Sequence, residues 1–110
     1  MWIASGLGYF SIVNKDGKYY VRARSVNDLE LLKKATGLSN KVLQFQGTDY
    51  IARIIVDKKD LNIIKDALFE SIVYPNFKNS IHANKNQSDK SDFYGRIWGV
   101  MFQYQQEQER

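Results

Sequence analysis

Cysteine is absent from the 110 residues, and proline and histidine occur once each, as Pro75 and His82. Without cysteine there is no disulfide framework and no thiolate nucleophile. A single histidine leaves no His-Glu-x-x-His and no Cys-rich zinc pattern, so no metal site is expected. The acidic residues are dispersed. Asp57, Asp60, Asp66 and Glu70 fall on one helix face and do not form the carboxylate cluster a two-metal phosphodiesterase needs. Asp49 and several serines could serve a Ser-His-Asp triad, but no nucleophile-elbow motif accompanies them. P-loop and kinase motifs are missing. Gly6-Leu7-Gly8 is too short and too early for a dinucleotide loop, so no cofactor is expected. No apolar run approaches the length of a membrane span, and Met1 to Gly6 lacks the pattern of a secretory signal. The expectation is a cytoplasmic chain with no membrane partner.

What is present suits one small α+β domain covering residues 1–110. Apolar residues make up 44% and aromatics 14%, enough for a real core but not a large one. The net charge of +4 favours anionic partners, mildly. Residues 9–14 read as a strand, and Lys15-Asp16-Gly17-Lys18 as a hairpin turn, because Gly17 accepts positive φ. Residues 19–24 form the next strand. Tyr19, Val21 and Ala23 point one way, while Tyr20, Arg22 and Arg24 point the other. A third strand is expected at 42–46 and a fourth at 50–56, with Ala52, Ile54 and Val56 opposite Ile51, Arg53 and Ile55.

Helix signals lie between and after the strands. Asn27 with Glu30 three residues on resembles a capping box, Leu29, Leu32 and Ala35 form a stripe, and Gly37 is placed to end the helix. Asp57 can cap a second helix over 58–73, carrying Leu61, Ile64, Leu68 and Ile72. Pro75 should break it and sit in the first turn of a helix over 76–83. After a polar loop, a last helix spans 92–105 with Phe93, Ile97, Val100, Met101 and Tyr104 along one side. The expected fold is α+β: two ββα units forming a four-stranded antiparallel sheet, helices on one face, plus a C-terminal helix. Trp2, Phe45, Phe69, Phe77, Phe93 and Trp98 are expected in the core, which a fold this small needs.

The uncovered sheet face then carries Tyr20, Arg22, Arg24, Gln44, Gln46 and Arg53, with Ile51 and Ile55. Guanidinium forks bind oxyanions bidentately, and tyrosines among them can stack on bases. The two isoleucines suggest a cover, most simply a second copy in a two-fold dimer. On the helix after Pro75, Lys78 and His82 are four residues apart and share a face. A base near neutrality beside a fixed cation suits phosphate handling or proton transfer. An ordinary solvated helix face fits the same residues. The chemistry left open is metal-free attack on a phosphodiester that brings its own 2′-hydroxyl.

The segments Met1-Trp2-Ile3, Gly8-Tyr9-Phe10-Ser11, Tyr20-Val21-Arg22-Ala23-Arg24, Thr48-Asp49-Tyr50, Tyr74-Pro75-Asn76-Phe77-Lys78 and Ile97-Trp98 resemble a small bacterial and phage family of about this length. Through that family the chain resembles ring nucleases, which degrade the cyclic oligoadenylate messengers of type III CRISPR antiviral defence. The resemblance implies a homodimer that binds cyclic RNA across its two-fold and cleaves it without metal. In that reading Lys78 and His82 are catalytic. Arg22, Arg24 and Arg53 contact phosphate, with Tyr20, Asp49, Tyr50 and Asn76 binding or orienting the nucleotide. The alternatives are a protein that binds a cyclic nucleotide, or inhibits a defence protein, without cleaving anything, and a domain whose sheet face meets a protein partner.

Overall fold

The hairpin turn Asp16-Gly17 is the element on which the sheet is built. Both residues take positive φ, 52° and 81°, the backbone with which a two-residue turn matches the twist of its strands. Asn14 supports the turn, its Oδ1 accepting from the Gly17 N–H at 3.1 Å. The turn joins β2 (Gly8–Lys15) to β3 (Lys18–Ala23). The structure is a computed structural model describing residues 1–110, and the chain divides into two compact units, Met1–Val73 and Tyr74–Arg110.

The first unit is α+β. Its remaining elements are β1 (Trp2–Ser5), α1 (Val26–Thr36), β4 (Leu43–Gln44), β5 (Ala52–Val56) and α2 (Lys58–Glu70). The strands pair antiparallel in the order β1-β2-β3-β5-β4. The sheet therefore has five strands where four were expected. The extra strand, β1, is joined to β2 by Gly6-Leu7, a segment that reads as irregular because glycine flanks it. Ser5 ties this corner together, donating to the Gly8 carbonyl and accepting from the Leu7 N–H.

One sheet face is the core. Phe10, Val21, Ala23, Ala52, Ile54 and Val56 are buried on it, under Leu29 and Leu32 of α1 and Ile64 and Leu68 of α2. Each fully buried aliphatic side chain of this kind contributes about 1.5–3 kcal/mol. Gly37 ends α1 with φ 74° and donates to the Lys33 carbonyl, as its position suggested. Asp57 caps α2, accepting from the Asp60 N–H at 2.9 Å. The N-cap of α1 is Ser25 rather than Asn27. Asp28, in the first turn, is fully buried, and its carboxylate accepts the Tyr9 N–H at 3.1 Å. That contact locks α1 onto β2 and leaves no room beside Gly8. A Cβ there would lie 2.7 Å from Asp28 and 2.8 Å from Phe10, at φ +150°.

The second unit holds α3 (Phe77–Ala83), a 3-10 turn (Ser88–Lys90) and α4 (Ser91–Gln108). Asn76 caps α3 through Oδ1, so Pro75 precedes the cap instead of occupying the first turn. The Phe77 ring lies 5.5 Å from that of Tyr74 and 5.4 Å from that of Tyr94. Ile81, Gln87 and Tyr94 are buried. No helix is long and apolar enough to cross a membrane.

Several expected core positions are overturned. Trp2, Phe45, Phe69, Phe93 and Trp98 are exposed, and the buried aromatics are Phe10, Tyr50 and Tyr94. Ala35 faces solvent, and α2 ends at Glu70, so Ile72 lies beyond it and is exposed. The register of β4 is one residue away from the expected one. Leu43 pairs with Arg53 and Gln44 with Ala52, so Gln44 leaves the arginine face, and Gln46 lies outside the strand. A two-residue edge strand carries too little alternation to fix its own phase, and a slip of one residue exchanges its faces.

Candidate functional site

Antiparallel pairing sets residues directly opposite one another on the same side of the sheet. On the face away from α1 and α2, one row runs Trp2, Ser11, Arg22, Arg53, Leu43 across all five strands. A neighbouring row holds Val13, Tyr20 and Ile55. The expected arginine face therefore forms, with Arg22 and Arg53 as direct cross-strand partners at its centre.

The arginines are held by aromatic rings and by single hydrogen bonds. Tyr50, almost wholly buried, is the shared support. The Arg22 guanidinium carbon lies 4.5 Å from its ring centroid and that of Arg24 4.1 Å. Arg22 donates from Nη2 to Ser11 Oγ at 2.7 Å. Arg53 donates from Nη2 to the Tyr50 carbonyl at 3.2 Å and lies 4.9 Å from the Phe45 ring centroid. Arg24 donates to the Asp49 carbonyl at 2.6 Å and makes an ion pair with its carboxylate at 3.3 Å. Thr48 shapes the loop beneath, its hydroxyl bridging the Phe45 and Tyr50 carbonyls. Tyr20 sits under the Lys15 ammonium, 5.1 Å from nitrogen to centroid.

The charges on this face are unequally matched. Arg24 has Asp49. Arg22 and Arg53 face each other with no carboxylate partner, and the Nε of each is buried without a hydrogen-bond acceptor. Like charges directly opposite on a sheet destabilise it, and a buried donor without an acceptor costs about 1–3 kcal/mol. An oxyanion held between the two guanidinium groups would offset the repulsion between them.

Arg22, Arg24, Arg53, Asp49, Tyr50 and Tyr20 therefore share one face of the first unit. Lys78, His82 and Asn76 belong to the second. Lys78 and His82 do lie on one helix, four residues apart and both exposed. The Lys78 ammonium is 5.1 Å from the Trp98 ring centroid. Asn76 is occupied as the cap of α3. Sequence reasoning placed two members of the face wrongly, Trp2 and Phe45, by assigning them to the core. Three apolar residues in succession, Trp2-Ile3-Ala4, gave no alternation from which the side of Trp2 could be read. No group of three or more His, Cys, Asp or Glu side chains is placed to hold a metal ion. No protein family, curated protein or solved structure matches the chain.

Proposed function

We propose that the open sheet face recognises a phosphate-bearing nucleotide, and that the ligand class is the cyclic oligonucleotide, cyclic oligoadenylate in particular. One observation carries the recognition reading: the cross-strand pair Arg22–Arg53, with two buried Nε donors and no carboxylate. Around it the face offers what a nucleotide needs. Arginine forks suit phosphate oxygens. The exposed Trp2 at one end of the row, with Tyr20 one row away, offers rings on which bases stack, worth about 1–3 kcal/mol per base. The choice of cyclic oligoadenylate rests on the resemblance to ring nucleases.

Binding is the primary activity in this reading. Cleavage without metal is the second reading, favoured by one specific feature, the exposed Lys78 and His82 on the same face of α3. In such a step the 2′-oxygen bonds to phosphorus as the 5′-oxygen leaves, giving a 2′,3′-cyclic phosphate; His82 accepts the 2′-hydroxyl proton, water protonates the departing oxygen and Lys78 offsets the added negative charge. The experiment is a panel of cyclic tri-, tetra- and hexa-adenylate in EDTA, followed by thermal shift and by product analysis. A saturable shift with intact ligand recovered supports recognition alone. A shift with linear products that His82→Ala abolishes supports the nuclease. No shift with any ring at millimolar concentration refutes both, because a ligand that binds the native state must stabilise it.

A further inference from the structure

The helix α4 of the second unit carries several exposed apolar side chains. Phe93, Ile97, Val100, Met101 and Tyr104 are between 47% and 64% exposed. Side chains of this size carry on the order of 150–250 Å² each, so about half exposure leaves roughly 100 Å² apiece, or roughly 500 Å² on one helix. That is at the upper end of what a typical monomer shows. Another side of the helix is engaged within the unit only in part, since Trp98 and Phe102 there are also exposed. Tyr94 is buried against Phe77, and Trp98 stacks on Phe102 beneath Lys78.

The spacing of the exposed side chains is that of a coiled-coil seam. Phe93, Ile97, Val100 and Tyr104 recur at intervals of four, three and four, with Lys90 and Glu107 three residues beyond each end. This seam is palindromic in chemistry. Set antiparallel against its own copy, Phe93 meets Tyr104, Ile97 meets Val100, and Lys90 meets Glu107. A parallel arrangement would instead set Glu107 against Glu107. Antiparallel pairing also opposes the two helix dipoles favourably.

We propose that the protein is a two-fold dimer formed through α4, the helix packing antiparallel on its copy. Two faces of roughly 500 Å², fully buried, remove about 1,000 Å² from water, the lower threshold for a specific interface. The occupant is a second copy because the face complements itself: apolar against apolar at the centre and opposite charges at both ends. The dimer does not depend on nucleotide recognition. It also differs from a dimer closed over the sheet face, where Trp2, Phe45, Ile51 and the half-buried Ile55 are interspersed with the like-charged Arg22 and Arg53.

Cross-linking tests the arrangement cleanly, because the chain has no cysteine of its own. Phe93→Cys and Tyr104→Cys proteins are prepared separately, mixed and oxidised. The antiparallel pairing predicts an inter-chain disulfide in the mixture and none in Phe93→Cys alone, whose two sulfurs would lie about 16 Å apart along the helix. Sedimentation of the unmodified chain at micromolar concentration should give the dimer mass. Val100→Glu should give the monomer mass with unchanged helicity by circular dichroism, because Val100 is exposed in the single chain, while Asn62→Glu on α2 should remain dimeric. A disulfide in Phe93→Cys alone, a monomer mass for the unmodified chain, or a dimer that survives Val100→Glu would each overturn the proposal.

Discussion

The Arg22–Arg53 pair makes a prediction whose sign, and not only its size, is diagnostic. Consider Arg22→Met and Arg53→Met, singly and together, measured by urea unfolding at low salt without ligand. Each single substitution relieves the same cross-strand repulsion, about 0.2–1 kcal/mol, and the double substitution relieves it only once. The double variant should therefore be less stable than the sum of the singles predicts, by about 0.2–1 kcal/mol. The absolute effect of each single change should be small. Losing the hydrogen bond to Ser11 or Tyr50 and the ring contact is offset by removing a buried donor that has no acceptor. A saturating oxyanion that bridges both guanidinium groups changes the arithmetic. Either single substitution then destroys the bridge, worth about 1.5–3 kcal/mol as a charge-assisted contact. The coupling should reverse, leaving the double variant more stable than the sum predicts by about 1–2 kcal/mol. High salt should shrink the ligand-free coupling toward zero. A ligand-free coupling of the opposite sign, or no reversal with any phosphate-bearing ligand, would refute the idea that this pair awaits an anion.

Three further changes test the frame that presents the face. Gly8→Ala should cost about 3 kcal/mol or more by chemical denaturation, since its Cβ meets Asp28 at a φ that non-glycine residues avoid; a loss below about 1 kcal/mol would show that α1 yields easily. Ile54→Ala, at the centre of the core, should cost about 2–5 kcal/mol in the same assay. Arg24→Met should cost under about 1 kcal/mol, because its pair with Asp49 is exposed at 56% and 77%. It should nevertheless weaken nucleotide binding if the face is used as proposed, read by titration calorimetry.

Where alternation was long and bounded by strong turn chemistry, the sequence was readable. Residues 19–23 and 52–56 divided correctly into a core face and an arginine face, because Asp16-Gly17 fixed one end and each strand carried several alternating positions. Gly37 and Asp57 were legible for the same local reason, a backbone or side chain with one favourable role. Failures came where tertiary context decides. The strand Trp2–Ser5 is short and followed by glycine, and its pairing to β2 depends on a partner that periodicity alone does not reveal. The two-residue β4 lacked the pattern to set its phase, which moved Phe45 onto the arginine face and Gln44 off it. The exposed aromatics of α4 were taken for core because apolar residues usually are. A helix seam turned toward a second copy has the same composition as one turned inward. Of the candidate site, the sequence supplied the arginines and Tyr50, but not that Tyr50 supports two of them at once.

The central claim is that the arginine-bearing sheet face holds an anionic nucleotide, and one titration addresses it most directly. Cyclic tri-, tetra- and hexa-adenylate are titrated calorimetrically, in EDTA and at fixed low salt, into the unmodified chain and into the Arg22→Met/Arg53→Met double variant. The prediction is saturable binding of at least one ring by the unmodified chain, weakened about 100-fold in the double variant, which corresponds to about 2.7 kcal/mol. Equal affinity in the two proteins, or no heat of binding with any ring, would contradict the claim.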